Sequence, residues 1–417
     1  MKICFLTAGT RGDVQPFLAL AKELDRRGHH SVIAAGNSSF REAIEKEGVS
    51  FYPASLDLME IIRTPEGKAV SQEPIRHMKT TLKLLREVIN PGYRATMDDY
   101  YTAAQGANLI IYHPKALGAV DVAVKLGIPC VSMPPAPVLY PISSFPCPAV
   151  SSYHNFGPFL NRKTYSVNRR SESAQISLIN QFRHDTLGLP ARKTGAYTYC
   201  REGQEIPIIY PISPSLFSDV TDWEGHVRLP GFFFLNTQDA LDKKLEQFIY
   251  SGPEPVAVTF SSIELKNPHR FMDMLEGAAQ ATGQRIVLLI GNSSIDFSGN
   301  DLIFTAEQAP HDLLFNRCCA VFHHGGAGTS AAALRAGIPQ LIMPCSGDQP
   351  FWVQYLYRKG YALKPISEQA LTAEKLIRRF HMLKGAGIRG QSEKIGAVLK
   401  QEHGTENAAD WIITNYG

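Results

Sequence analysis

Ala320–Trp352 reads AVFHHGGAGTSAAALRAGIPQLIMPCSGDQPFW, and the order of its parts decides the fold. An apolar run ends in two histidines, and a glycine loop, an Ala-rich helical stretch, a second apolar run and Asp-Gln follow. A glycine loop between a strand and a helix directs backbone N–H groups and the positive helix end at one spot, which makes an anion site suited to a diphosphate. Gly325, Gly326 and Gly328 permit close backbone approach, and Thr329 offers a hydroxyl at the helix start. His324, at the strand end, adds a donor for the same phosphate. Asp348 and Gln349 supply a carboxylate and an amide, a pair suited to gripping vicinal sugar hydroxyls. Diphosphate plus polyol means a nucleotide-sugar. Glycines in a βαβ crossover would not say this alone, because short glycine patterns recur in many folds. A dinucleotide site would want G-x-G-x-x-G and an acidic residue about 20 residues on. The glycine spacing here is different, and Gln349-Pro350 follows Asp348 directly.

The strand–helix alternation extends outward from this stretch in both directions. Residues 2–8 (KICFLTA) read as a buried strand, and 16–27 as a helix with Phe17, Leu20, Ala21 and Leu24 on one face. LIIYH (109–113), a helix to about Leu126 and GIPCVSM repeat the alternation, and a second series runs from PVAVTFSSI (255–263) to near Leu363. Strands alternating with helices predict an α/β protein with parallel, doubly wound sheets. The expected division is an N-terminal domain over 1–228, a linker over 229–245, a C-terminal domain over 246–391 and a helical tail over 392–417. Residues 134–160 interrupt the alternation with Pro, Ser and aromatics. Long loops without their own secondary structure are usually functional or disordered, and the aromatics argue for a lining loop. Tyr140, Phe145, Phe156 and Phe159 are its candidate pocket walls.

A chain of 417 residues suits two domains with separate cores, and 44% apolar with 19% charged residues is ordinary for a globular protein. A net charge of +3 does not suggest nucleic acid, because Arg26-Arg27, Arg169-Arg170 and Arg378-Arg379 are isolated pairs rather than a stripe. The 7 cysteines form no C-x-x-C pair, so neither a metal nor a disulfide is expected. The first residues read as a core strand rather than a signal peptide, and no run of about 18 apolar residues could span a bilayer. A cytoplasmic protein, monomeric or weakly dimeric, is expected.

These motifs resemble the donor signature of inverting family-1 glycosyltransferases of the GT-B fold, in the sterol and antibiotic branch. MKICFLTAGTRGDVQPFLALAKELDRRGHH at the start and IIYHPKALG (110–118) are similar to the N-terminal half of that branch. The resemblance implies two Rossmann-like domains facing across a cleft, with the last helix crossing back onto the N-domain. It implies a UDP-sugar donor, UDP being favoured over TDP and glucose over other hexoses. The acceptor is an apolar small molecule such as a sterol, polyketide or phenolic, met by the aromatic loop. Where the family usually shows Gly-Ser after the first C-domain strand, this chain has Ser261-Ser262, and Ser262 is the expected phosphate contact. The Trp that stacks on the base in plant relatives is missing from FTAEQAPHDLLF, and Ala332 stands at the ribose position.

Transfer to a hydroxyl requires a base. Asp13, after the first strand at the carboxyl edge of the sheet, is the candidate, and the resemblance supports it. Its competing role is to cap the helix that carries Pro16. His113 is a rival base, whereas His29-His30 leads into a strand and reads as structural. No Asp-x-Asp motif is present, so the leaving diphosphate is expected to be held by the helix end and His324 without metal or other cofactor. Two alternatives stand beside the enzyme: a non-catalytic sugar-nucleotide or lipid binder on the same scaffold, and a glycolipid-forming transferase at a membrane surface. The second would want a basic, aromatic amphipathic patch, and none is evident in the N-domain sequence.

Overall fold

The computed structural model describes residues 1–36, 38–72, 76–150, 154–235, 240–260, 265–291, 297, 299–345 and 347–417. The chain forms two compact units. Unit 1 comprises Met1–Cys147, Phe156–Leu235 and His403–Gly417, and unit 2 comprises Pro148–Asn155 and Asn236–Glu402.

Unit 1 holds strands β1 (Lys2–Leu6), β2 (His30–Ala35), β3 (Ser50–Pro53), β4 (Leu109–Tyr112), β5 (Cys130–Ser132), a small antiparallel pair β6 (Cys200–Arg201) and β7 (Gln204–Glu205), β8 (Ile208–Ile209) and β9 (Val227–Arg228). Seven of them make one parallel sheet in the order β3-β2-β1-β4-β5-β8-β9. β1 and β4 are buried along almost their whole length, as strands covered by helices on both faces must be. Unit 2 holds β10 (Val256–Thr259), β11 (Ile286–Leu289), β12 (Ile303–Ala306), β13 (Ala320–His323) and β14 (Gln340–Ile342), all parallel, in the order β12-β11-β10-β13-β14. In each unit the strand order reverses once beside the first strand, between β1 and β4 and between β10 and β13. Ligands of open α/β sheets bind at the carboxyl ends of such a reversal.

Two expected boundaries move. The first helix runs Arg11–Arg26, not from Pro16, which lies inside it. At the sixth helical position Pro16 leaves the Gly12 carbonyl without its helical N–H partner. The return to unit 1 begins at His403 rather than at 392, because the helix Ala386–Leu399 runs unbroken through Ser392 and belongs to unit 2. Only the helix Gly404–Tyr416 comes back, burying Ala408, Ala409 and Ile412 in the cluster that holds Phe17 and Leu20. Gly404 is required there, since a Cβ would stand 2.5 Å from the backbone of Gly231 and Phe232. Arg27 pairs with Asp410 across this contact.

Candidate active site

The reversal in unit 1 carries a cluster of three titratable side chains. Asp13 follows β1, and His113 and Lys115 follow β4, whose last paired residue Tyr112 lies opposite Leu6. Asp13 sits not on a loop but in the first turn of the helix Arg11–Arg26, three residues after the N-cap Thr10, in a capping box. The Thr10 N–H donates to Asp13 Oδ2 at 2.7 Å and its hydroxyl at 3.1 Å. Gly9, at φ +130°, makes room for this, because a Cβ there would collide with Oδ2. His113 Nε2 lies 3.1 Å from Asp13 Oδ1, and Lys115 Nζ lies 2.9 and 3.0 Å from the two carboxylate oxygens. The His113 Nδ1 accepts the backbone N–H of Lys115 at 2.9 Å, so Nε2 carries the proton that faces Asp13.

Burial alone would raise the Asp13 pKa, but the hydrogen bond from His113, the Lys115 ammonium and the Thr10 N–H outweigh it. The net effect holds the carboxyl well below the usual carboxylate range. Asp13 and His113 are buried, whereas the Lys115 side chain is 50% exposed. Lys115 is therefore the partner that can leave for water. Capping and the chemical role are thus compatible in one residue. Removing this ammonium in Lys115→Met should raise the Asp13 pKa. A reaction needing ionised Asp13 fails as pH falls through that pKa, so the acidic limb of kcat/KM should move to higher pH. Lys115→Arg should restore the wild-type limb, and identical profiles for all three proteins would exclude Lys115 from control of Asp13.

The reversal in unit 2 is built the same way, with Thr259 at the end of β10 opposite His323 at the end of β13. His323 is wholly buried; its Nδ1 accepts the Gly325 N–H at 3.1 Å, and its Nε2 therefore donates to Gln340 Oε1 at 2.9 Å. Burial, aided by the neighbouring His324, pushes its pKa down to about 3, so the ring is a neutral clamp on the loop. The Gly325 N–H is thus spent inside the protein and is not offered to a ligand. Gly325 has φ +88°, and a Cβ there would lie 2.7 Å from Ile342 Cγ2. From Gly326 the chain enters the helix Ala327–Ala336, whose first bond is Ser330 N–H to Gly326 O at 2.9 Å. The N–H groups of Ala327, Gly328 and Thr329 therefore have no partner within the helix.

His324 folds over Gly326, where any Cβ would meet its Nε2. Burial lowers its pKa to about 4, offset only in part by a bond to the Thr259 backbone, and its buried Nδ1 finds no hydrogen-bond partner among the described residues. A buried, unpartnered ring nitrogen that donates once the ring is protonated, beside open helix N–H groups, is the arrangement an anion would satisfy. Gly328 is exposed, while Thr329 is buried in the first turn. Asp348 precedes the helix Gln349–Arg358 and accepts Trp352 Nε1–H at 2.8 Å. Gln349 Oε1 accepts the Cys345 N–H at 2.8 Å, and its Cβ would be 3.7 Å from a Cβ on Gly325. Gln349 thus packs against the glycine loop. Ser261 and Ser262 lie outside the described residues.

The aromatic loop does not form one wall. Tyr140 and Phe145 are core residues of unit 1: the Tyr140 N–H donates to Tyr210 Oη at 2.8 Å, and Phe145 packs 6.2 Å from Phe217. Ser143 anchors this stretch to Asp222 through its N–H at 3.0 Å and its hydroxyl at 2.6 Å. Phe156 and Phe159 face outward. For metals, the described residues offer one group of suitable spacing, Glu205, Glu224 and His226, with ligand atoms within 4.8 Å of one another. Its two carboxylates are exposed, and its histidine contacts Tyr140 rather than either strand reversal. Lys115, His323 and Trp352 are the contributors that sequence reasoning missed. The Lys two residues after the strand-end His113 is the one signal that pointed to any of them.

Comparison with known proteins agrees with this layout. Residues 3–124 match the glycosyltransferase family 28 N-terminal domain, and 284–399 match the erythromycin biosynthesis protein CIII-like C-terminal domain. A sterol 3-beta-glucosyltransferase of Arabidopsis thaliana is 33% identical over 98% of this chain and 67% of its own length. The O-mycaminosyltylonolide 6-deoxyallosyltransferase of Streptomyces fradiae is 30% identical over 99% of this chain and 98% of its own. The chain spans two thirds or less of the length of the sterol glucosyltransferases it matches first. A solved glycosyltransferase of kitacinnamycin superposes with a TM-score of 0.73 at 18% identity, over 100% of this chain and 99% of that one, which fixes the fold as GT-B. With a strand reversal in each sheet, a glycine loop in the second and family matches in both halves, the chain belongs to the sterol and macrolide glycosyltransferase family and is a glycosyltransferase.

Proposed function

We propose that the protein moves glucose from UDP-glucose to a hydroxyl of an apolar acceptor of sterol or polyketide type, inverting C1 and using no metal. The observation that carries the donor half is the orphaned His324 Nδ1 beside the open N–H groups of Ala327, Gly328 and Thr329. An anion held by fixed donors gains more than one held by water, since no reorganisation is needed as the diphosphate departs. Glucose and the sterol class follow the name of the plant relative, and the polyketide alternative follows that of the macrolide enzyme. Asp13 takes the acceptor proton late, as C1 becomes electron-poor, which lets a weakly basic carboxylate serve. The acceptor hydroxyl replaces Lys115 at that carboxylate. His113, with Nδ1 accepting a backbone N–H and Nε2 turned to Asp13, holds the carboxylate rather than acting as the base. No second carboxylate is assigned to trap a glycosyl intermediate, so a single displacement inverts the α-linked donor to a β-glucoside. All 7 cysteines are free thiols, which suits the cytoplasm, where UDP-glucose would meet the enzyme.

The test is a transfer assay with UDP-glucose against sterol, macrolide and flavonoid panels, with and without EDTA. A β-glucoside, identified by its anomeric NMR coupling and formed equally in EDTA, is expected. An α-linked product overturns the single displacement. Activity lost in EDTA and regained with Mg²⁺ or Mn²⁺ overturns the metal-free mechanism. Transfer from TDP-glucose in preference to UDP-glucose reassigns the nucleotide.

A further inference from the structure

In unit 1 the helix Met78–Leu84 runs through a π turn at Leu85–Ile89 into the helix Asn90–Ala103. Such turns are frequent at functional sites. Asn90, Tyr93, Met97 and Tyr100 are spaced along one face of the second helix. The far end of that face is fixed to the carboxyl end of β1. Met97 is fully buried, Tyr100 Oη donates to Thr7 O at 3.1 Å, and Thr7 Oγ1 donates to Asp13 O at 2.8 Å. The flank is fixed as well. Thr96 Oγ1 accepts the Leu56 N–H at 2.8 Å, Asp99 Oδ2 accepts the Ser55 N–H at 2.7 Å, and a Cβ on Gly92 would stand 2.7 Å from Leu56 Cδ1. The near end of the face is different. Tyr93 is half-buried and near Asp13; burial first, and then that carboxylate, hold its phenol above the usual tyrosine range. Tyr93 is therefore a proton donor at neutral pH, beside an ionised Asp13. Asn90 Oδ1 is buried and has no hydrogen-bond partner among the described residues. A buried amide oxygen left unpaired costs stability, so its place on this face calls for a ligand.

Two polar groups on one fixed helix face, one beside the base and one buried without a partner, form a template for two hydroxyls. We propose that Tyr93 and Asn90 orient the acceptor. Tyr93 donates its O–H to the hydroxyl that Asp13 deprotonates, and Asn90 Oδ1 accepts a second hydroxyl of the same molecule. Residues three apart on a helix stand about 5–6 Å from one another, which sets the spacing of the two hydroxyls. The bond from Tyr93 occupies one lone pair of the reacting oxygen and leaves the other for C1, while the proton passes to Asp13. The preferred acceptor is thus an apolar ring system with a neighbouring pair of hydroxyls, of polyketide type, rather than a sterol bearing a single hydroxyl. This rests on Asp13 as the base and narrows the acceptor class of that reading.

The test supplies the full chain and UDP-glucose with a macrolide diol, with its analogue lacking the neighbouring hydroxyl, and with a single-hydroxyl sterol. Wild type should favour the diol over the analogue by about tenfold in kcat/KM, because the analogue leaves Asn90 Oδ1 unpaired. Asn90→Ala should erase that preference by slowing the diol alone. Tyr93→Phe should lower kcat for both by about tenfold, the worth of one hydrogen bond, and keep the preference. A merely structural loss would instead slow both acceptors alike in both variants, and that result overturns the proposal. Equal wild-type rates with diol and analogue, a preference that survives Asn90→Ala, or faster transfer to the sterol than to the diol would each overturn it too. Full turnover in Tyr93→Phe beside a slowed Asp13→Asn would refute this inference and leave the base in place. Full turnover in Asp13→Asn would remove both.

Discussion

Asp13→Asn is expected to lower turnover by about 10²–10⁴-fold, the usual worth of a positioned base. The protein should still fold and bind donor. Asparagine keeps an oxygen for the Thr10 N–H, which the carboxylate now accepts at 2.7 Å. What it loses is the charge facing Lys115, a side chain half exposed and able to turn to water, and the second oxygen that faces the buried His113 Nε2–H at 3.1 Å. Stability should therefore fall by at least what the loss of a helix cap implies, about 1 kcal/mol. UDP titration should match wild type, because the diphosphate loop is in the other unit. Turnover near wild type with the best acceptor would refute Asp13 as base and move the role to His113. A parallel His113→Ala separates the two directly. If His113 only holds Asp13, its loss should cost less turnover than Asp13→Asn, and the reverse order would exchange their roles.

His324→Ala should weaken UDP itself by about 1.5–3 kcal/mol, the range for a hydrogen bond to a charged group, or roughly 10- to 150-fold in Kd. The sign of its pH dependence follows from the charge of the ring. Burial holds the His324 pKa near about 4, so the ring is neutral at neutral pH. A bound diphosphate favours the protonated ring and raises that pKa. Binding then takes up a proton, and UDP should bind more tightly as pH is lowered through the raised value. The ligand's own phosphate titrates in the same direction, so the diagnostic is the part of the pH dependence that disappears in His324→Ala. Calorimetry showing unchanged affinity and unchanged proton uptake would remove His324 from the site. Asp348→Ala should act differently, leaving UDP affinity intact while weakening discrimination among donor sugars. It also frees Trp352 Nε1, which Asp348 now accepts at 2.8 Å. If both substitutions weaken UDP alike, the division into diphosphate and sugar contacts is wrong.

The sequence by itself determined the two parallel sheets, the glycine loop and the place of His324, because these are local facts. Apolar runs such as LIIY and AVFH have no exposed face to alternate, and a glycine loop before an Ala-rich helix has one common geometry. Asp348 and Gln349 were legible for the same reason, lying one strand beyond that loop. The start of the first helix was misread because Pro16 is common at helix starts, yet the capping box of Thr10 and Asp13 begins it earlier. Only the tertiary structure could join Asp13 to Lys115, since they are 102 residues apart and meet because β1 and β4 are neighbours in the sheet. The same holds for the aromatics of residues 134–160. Composition marks them as a set, but whether a ring is buried depends on what packs over it. Tyr210 and Phe217 receive Tyr140 and Phe145, whereas the helix carrying Phe159 is held by Asn161 and Tyr165 from its opposite side. Periodicity specifies which residues share a face; the contacts made by the rest of the chain decide whether that face is covered.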